Sequence, residues 1–281
     1  QNPIGKITEI LGFPDDPNLE ILALVRSYDL PLDFPDPVLE EANVLPDVIP
    51  ETLIEGRLDL RETRCFTIDP PQARDFDDAV SLESLEDGTE RLGVHIADVS
   101  AYVPEGSLID REALYRGTSV YLVDRVIPML PHRLTNELCS LNPDQDRLAM
   151  TVFMTIAEDG RIQDYSIHDS VIRSRMRLTY EQAQNGIEGD RDAIGNQSGV
   201  VNDLKKLHGL SRRLFKARIA KGSFDFDLPE PVVQLDEEGI PVAVGQEVRL
   251  DSNRLIEECM LAANKTIARH ILDREIPGVF R

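Results

Sequence analysis

The sequence predicts an α+β domain, on three observations. Met150–Ile156 and Ile162–Ile172, both rich in β-branched residues, flank the turn Glu158-Asp159-Gly160 and read as paired strands. Leu92–Ala97 alternates apolar and polar residues, the period of a half-buried strand. Two long segments instead repeat their apolar residues at helical spacing. In Asn202–Ala220 these are Leu204, Leu207, Leu210 and Leu214; after Ser252 they are Ile256, Met260, Ala263, Ile267 and Ile271. With 281 residues, 41% of them hydrophobic, the chain is long enough for one large domain or two ordinary ones, and wholesale disorder is excluded.

The remaining elements follow in chain order. Gly5–Gly12 mixes β-branched and polar residues between two glycines and reads as the end of a small β-rich module. Asp15-Asp16-Pro17 is turn chemistry, and Asn18 can cap a short helix through Leu19, Ile21, Leu22 and Val25. Pro31, Pro35, Pro37, Pro46 and Pro50 then mark a linker, because each fixes φ and removes a donor; a short helix fits at Val38–Ala42. Cys65–Ile68 is a candidate strand. Ser107, with Asp110 three residues on, resembles a capping box opening another helix.

Charge and cysteine content narrow the function classes. Fifty-one acidic residues against 30 basic ones leave a net charge of −21, which argues against a protein that wraps nucleic acid through a basic surface. It does not argue against carboxylates that hold metal ions. Cys65, Cys139 and Cys259 lie far apart and form no CxxC pair, so a structural zinc site or a disulfide framework is not expected and a reducing, cytoplasmic setting fits. No apolar run is long enough to span a membrane, and the first residues contain no signal-peptide core.

The chemistry concentrates between Thr67 and Val80. Asp69, Asp75, Asp77 and Asp78 directly follow an apolar strand and are interrupted by Pro70 and Pro71. A strand end followed by a proline-fixed turn can hold several short carboxylates around one point. Hard divalent cations want such oxygen ligands, whereas four carboxylates packed without a cation would raise one another's pKa values. The bland alternative is a solvated acidic loop, and Phe76, set among the charges, counts against it.

These residues belong to a longer pattern. The string from Arg57 to Glu83, with its FTIDPPQARDFDDAVSLE core, is followed by HIADVSAYV at 95–103 and RGTSVYLVDRVIPMLPHRLTNELCSLNP at 116–143. RLAMTV at 147–152, FDFDLPEP at 224–231 and NRLIEECMLAANKTIAR at 253–269 complete it. The sequence resembles the ribonuclease II/R (RNB-type) exoribonuclease family over nearly its whole length. The resemblance implies an RNB-type catalytic domain with a mixed sheet and packed helices over residues 57–281. Before it lie a proline-rich linker at 36–56 and, at 1–35, the tail of an OB-type cold-shock domain.

By similarity, Asp69, Asp75, Asp77 and Asp78 would bind Mg²⁺, with Mn²⁺ as a substitute. Asp69 and Asp78 are the direct ligands in this reading, Asp75 supports them, and Asp77 matters most to the chemistry. Tyr121 matches an aromatic that stacks on the 3′-terminal base, a contact worth roughly 1–3 kcal/mol; read alone it is an ordinary core residue. Phe226 is a second clamp, and Arg116 and Arg133 could reach backbone phosphates. His95 and His132 are read as packed, hydrogen-bonded histidines. The basic helix with Lys205, Lys206, Arg212, Arg213, Lys216 and Arg218 either faces RNA or offsets the acidic surface.

The implied activity is metal-dependent, hydrolytic, processive 3′-to-5′ degradation of single-stranded RNA to nucleoside 5′-monophosphates. The family's nuclease domain extends past residue 281, with an arginine-rich motif and a further OB-type domain, so the resemblance also implies an incomplete chain. A catalytically incomplete RNA-binding or scaffold module is therefore the second reading. A metal-dependent glycosyltransferase using Asp75-x-Asp77 is a third, and it leaves Asp69 and Asp78 unexplained.

Overall fold

The computed structural model describes residues 5–13, 19–190, 192–195, 198–226, 228, 231–236, 241–246 and 248–280. The helices are α1 (Leu19–Ser27), α2 (Asp36–Asn43), α3 (Glu51–Ile54), α4 (Leu108–Arg116), α5 (Tyr180–Glu188), α6 (Ser198–Ala220) and α7 (Asp251–Asp273). The strands are β1 (Leu58–Leu60), β2 (Cys65–Asp69), β3 (Asp78–Ser84), β4 (Glu90–Ala97), β5 (Val120–Tyr121), β6 (Val126–Ile127), β7 (Asp146–Ile156), β8 (Ile162–Arg173), β9 (Met176–Thr179), β10 (Pro231–Leu235) and β11 (Pro241–Gln246). A π-helical turn covers Arg133–Leu138.

Contacts divide the chain into two compact units. One gathers residues 1–44, 103–132 and 229–247; the other gathers 45–102, 133–228 and 248–281. In the first, Arg116 on α4 and Glu41 on α2 tie neighbouring segments: Glu41 accepts from Leu108 N (3.0 Å) and Ile109 N (3.4 Å) at the start of α4. Residues 5–13 carry no strand. They are largely exposed, and an extended segment with no neighbouring strand has no ladder to close, so the expected β-character is not realised there.

The second unit is built on a seven-stranded sheet in the order β1-β8-β7-β4-β3-β2-β9. It is mixed: β1–β8 and β2–β9 are parallel and the other pairs antiparallel. The pleat sends alternate residues to opposite faces. Phe66, Ile68, Val80, Leu92, Val94, Val152 and Met154 pack with Leu204, Leu207 and Leu210 of α6 and with Leu255 and Cys259 of α7 into one core. The opposite face carries a buried polar chain. His95 Nε2 meets Ser81 Oγ at 2.9 Å, His95 Nδ1 meets Thr151 Oγ1 at 2.8 Å, and Thr151 Oγ1 meets Ser170 Oγ at 2.7 Å. Gly93 makes room for this chain, since a Cβ there would lie 2.3 Å from Ser81 Oγ. Burial pushes the His95 pKa down to about 4, so the ring is neutral and structural, as expected for a packed histidine.

Local signals in the sequence and the observed elements agree closely. The hairpin at Glu158–Gly160 forms as expected, the strand expected at Cys65–Ile68 runs one residue further to Asp69, and the helix expected at Asn202–Ala220 starts four residues earlier at Ser198. The short helix in the proline-rich segment forms as α2. Ser107 Oγ accepts from Asp110 N at 3.1 Å, but Asp110 reaches back to Gly106 N (2.8 Å), one residue beyond a capping box. Asn18 and Asp15-Asp16-Pro17 lie outside the described residues. In α7 the most buried stripe is Leu255, Cys259, Ala262 and Thr266, rotated from the expected one; Ser252 lies inside the helix, its hydroxyl donating to Tyr180 O at 2.7 Å.

Core and surface on α6 should separate cleanly. Leu204→Ala is expected to cost about 2–5 kcal/mol in urea unfolding through the lost burial and the residual cavity, whereas Lys216→Ala, on the exposed face, is expected to stay within about 0.5 kcal/mol.

Candidate functional site

The four aspartates sit where β2 and β3 part. The ladder between these strands contains only Cys65–Ser81 and Phe66–Val80. Beyond it, β2 continues in register with β9 alone, from Thr67 opposite Arg177 to Asp69 opposite Thr179. Asp69 is thus the last residue of β2 and Asp78 the first of β3, and the loop between them is released from the sheet without leaving its edge.

That loop is stapled at both ends. Arg177 donates to Pro70 O (2.6 Å) and Pro71 O (3.0 Å), and its guanidinium carbon lies 5.4 Å from the centre of the Phe76 ring. Ala73 N donates back to Pro70 O (3.1 Å), closing a turn. At the other end, Phe76 is buried; its N donates to Ser140 Oγ (3.0 Å) and its carbonyl accepts from Leu141 N (2.8 Å). Ser140 Oγ donates in turn to Arg74 O (2.8 Å), and Ala97 N donates to Asp77 O (2.9 Å). Arg147 on β7 holds the supporting segment by donating to Ser140 O (2.7 Å) and Glu137 O (2.8 Å). Neither Ser140 nor Arg147 is marked by local sequence pattern, because their role is to satisfy main-chain groups distant in the chain.

Electrostatics set these carboxylates apart from the many others. Burial pushes the Asp69 carboxyl up to about 6, with the charges of Asp75 and Asp77 adding to it and Arg177 opposing. Burial, reinforced by Asp69 and Asp77, pushes Asp78 up to about 7. Asp77 is raised as well, chiefly by desolvation and then by Asp75, although its residue surface is exposed. Enough protein surrounds that carboxylate to remove part of its hydration while leaving a face open. Asp78 shares the pleat parity of Val80 and so faces the helices; burial and then the Asp78 charge push the Cys259 thiol up.

The donor set fits a hard cation. Asp69 Oδ2 is buried and has no hydrogen-bond partner, and the charges of Asp75, Asp77 and Asp78 gather beside it, more than Arg177 balances, in a way that a cation would neutralise. Among the described residues no three His, Cys, Asp or Glu side chains form a ready-made cluster able to hold a metal ion. Protein oxygens alone therefore leave most of an octahedral shell to water and to a bound phosphate, the manner in which Mg²⁺ is usually held. A cavity of about 530 Å³ between the β7–β8 turn, α6 and α7 contains none of these aspartates.

Tyr121 and Phe226 are both exposed, at 69% and 73%. Tyr121 projects from the β5–β6 hairpin of the first unit, so the core reading does not hold for it. Phe226, in the second unit, stacks on Phe224 at 6.1 Å between ring centres, a partner that sequence reasoning missed. The two arginines differ from expectation. The Arg116 side chain is buried, pairs with Glu112 (2.8 Å), donates to Pro31 O, Pro128 O and Asp33 O, and lies over Phe34. Arg133 is committed to Glu137, Asp47 and Leu45 O. Carbonyls and carboxylates of the protein occupy the forks that were expected to meet phosphate. On the basic helix, Arg213 and Arg218 pair with Glu90 and the buried Glu258.

Comparison with known proteins bears on the family and the fold. A family model described as the RNB domain matches residues 57–281, and one described as a cold shock domain matches residues 1–35. The chain is 44% identical to ribonuclease R of Aquifex aeolicus over 277 residues, which is 99% of the chain but 39% of that protein. It is 40% identical to ribonuclease R of Escherichia coli over 99% of the chain and 34% of that protein. The chain thus spans well under half the length of these relatives. A solved structure of Mycoplasma genitalium RNase R in complex with ribose-methylated single-stranded RNA is 31% identical, with a TM-score of 0.90 over 95% of this chain and 42% of that one.

The raised carboxyls make stability fall with pH. An unfolded Asp loses its proton near its ordinary value of 3.8, whereas folded Asp78 keeps it to about 7. The folded state is therefore favoured below pH 4, and that contribution is lost as pH rises through 7. With EDTA present, Asp78→Asn should raise the melting temperature at pH 8, by about 2–4 °C per kcal/mol of charge-burial and repulsion cost relieved, and should give little or no gain near pH 4. Thermal denaturation at the two pH values checks this.

Proposed function

The chain belongs to the RNB-domain family, and on that premise we propose that it carries the acidic centre of a divalent-metal-dependent 3′-to-5′ exoribonuclease. In this reading the enzyme hydrolyses single-stranded RNA processively to nucleoside 5′-monophosphates in the cytoplasm; among the described residues no helix is long and apolar enough to cross a membrane. Residues 57–281 are the catalytic part, 36–56 a linker and 1–35 cold-shock-type. The observation that carries the reading is the loop from Asp69 to Asp78, which holds two carboxyls near neutral pKa values while stapled to the sheet.

Asp69 and Asp78, the more enclosed carboxylates, would hold Mg²⁺ or Mn²⁺, with Asp75 in support. A bound cation supplies Lewis-acid charge against phosphoryl oxygens and makes water a stronger acid. Asp77 is suited to the reacting phosphate: Ala97 N fixes its main chain while its carboxylate keeps an open face. With its raised pKa, its Oδ atoms can take a proton from an attacking water. Exposed Tyr121 offers a platform for the 3′-terminal base, and Phe226 with Phe224 a second one. A non-catalytic RNA-binding module is the second reading, for which the exposed Tyr121 and the Phe224–Phe226 pair would suffice without a cation.

The test is digestion of 5′-labelled RNA, with Mg²⁺ or EDTA, by a ribonuclease R chimera in which this sequence replaces its matching segment. Metal-dependent release of nucleoside 5′-monophosphates is expected; RNA retention without products would select the non-catalytic reading. Asp77→Asn in this chimera should lower kcat by orders of magnitude with little change in RNA affinity, because a group acting on the transition state costs rate rather than ground-state binding. If kcat is kept and affinity collapses, Asp77 only binds.

Tyr121→Ala should lengthen the smallest end product by one or more nucleotides. Losing one stacking platform costs about 1–3 kcal/mol, which matters most when few bases remain bound. A denaturing gel of RNA digested to exhaustion reads the difference, and identical ladders would remove Tyr121 from the RNA path.

A further inference from the structure

We propose that Arg177 is a positioning residue of the acidic loop, fixing the Pro70–Pro71 turn against the Phe76 side chain and so setting how Asp69 stands relative to Asp75, Asp77 and Asp78. The inference rests on the metal reading above and adds to it a residue outside the acidic run.

The geometry is specific. Arg177 lies on β9 directly opposite Thr67 of β2, two residues before the position opposite Asp69. From there its Nη2 bridges the two successive carbonyls of Pro70 and Pro71, at 2.6 and 3.0 Å, while the guanidinium plane stands near the Phe76 ring. Prolines have no N–H with which to anchor this stretch, so their carbonyls are the only main-chain groups by which it can be held. One arginine therefore ties the residue after Asp69 to the residue before Asp77.

The two halves of the loop differ in what else secures them. Residues 74–77 are held by Ser140, Leu141 and Ala97. Residues 70–73 have the single turn bond from Ala73 N to Pro70 O and the two bonds from Arg177. Removing the guanidinium leaves the first half hinged at Asp69. Lysine cannot replace it fully, since an ammonium does not offer a flat, forked set of donors that also lies against a ring. Groups that orient metal-binding side chains from outside typically change affinity by about 10- to 100-fold.

The experiment compares the 281-residue chain with its Arg177→Met and Arg177→Lys variants. Manganese affinity is read by calorimetry, hydrogen exchange of residues 72–75 by mass spectrometry, and fold by melting temperature. Weakening of Mn²⁺ binding by about 10- to 100-fold in Arg177→Met is expected, less in Arg177→Lys. Faster exchange confined to the loop and a native-like melting transition should accompany it. Unchanged Mn²⁺ affinity and exchange in the variants would overturn the assignment while leaving the metal site standing. No Mn²⁺ binding by the unaltered chain would instead overturn the metal reading, and the exchange arm alone would then decide whether Arg177 positions the loop. Loss of the fold in both variants would make Arg177 a core residue and overturn the proposal.

Discussion

Burial of several carboxylates held close together on one short loop is the constraint on which the rest of this structure depends. Burial raises the Asp69, Asp77 and Asp78 carboxyls, and the charges of neighbouring aspartates, Asp75 among them, add to the effect. Left to itself such a loop would splay into water. Here the departure of β3 from β2 creates the loop, the parallel pairing with β9 keeps Asp69 in the sheet, and the Ser140–Leu141 segment holds Phe76 inside. Strain of this kind is maintained only where the surroundings over-determine it, and it is then useful to whatever relieves it.

The acidic balance of the chain acquires a structural meaning from the arginines. Arg64 pairs with the buried Asp203, Arg57 with Asp98 at 2.7 Å, Arg218 with Glu258 at 2.6 Å, and Arg173 with Asp146 at 2.7 Å. Arg116 and Arg147 satisfy main-chain carbonyls. These guanidinium groups are thus committed to partners within the protein, and removing those that meet Asp98, Asp203 or Glu258 would leave a buried carboxylate unpaired.

The sequence carried the fold wherever a local signal sufficed. Helical spacing in Leu204–Leu214, the Asp159-Gly160 turn and the Ser107 cap all describe short-range physics, and all three form. It was silent on β3 and β9: β3 opens on the aspartates themselves, and β9 is four residues long, with Arg175 just before it and Arg177 inside it beside the buried Leu178. The acidic run was legible because carboxylates at that density after an apolar strand are unusual. What holds the run was not, because Ser140, Arg147 and Arg177 act across distances that only the folded sheet closes. For the same reason the partners of Arg116 and Arg133 were not legible: a sequence displays an arginine's charge but not the carbonyls it meets.

If cation binding is what the strained loop is for, the cation must displace protons. Asp69 near 6 and Asp78 near 7 are substantially protonated in mildly acidic solution and ionised in alkaline solution. The direct measurement is the number of protons released when Mn²⁺ binds the chain, obtained by titration calorimetry in buffers of different ionisation enthalpy. Release of more than about one proton near pH 6, falling toward none near pH 8.5, is the expected result. Mn²⁺ binding with no proton release at either pH, or with release that does not change between them, would contradict a site built from these carboxylates.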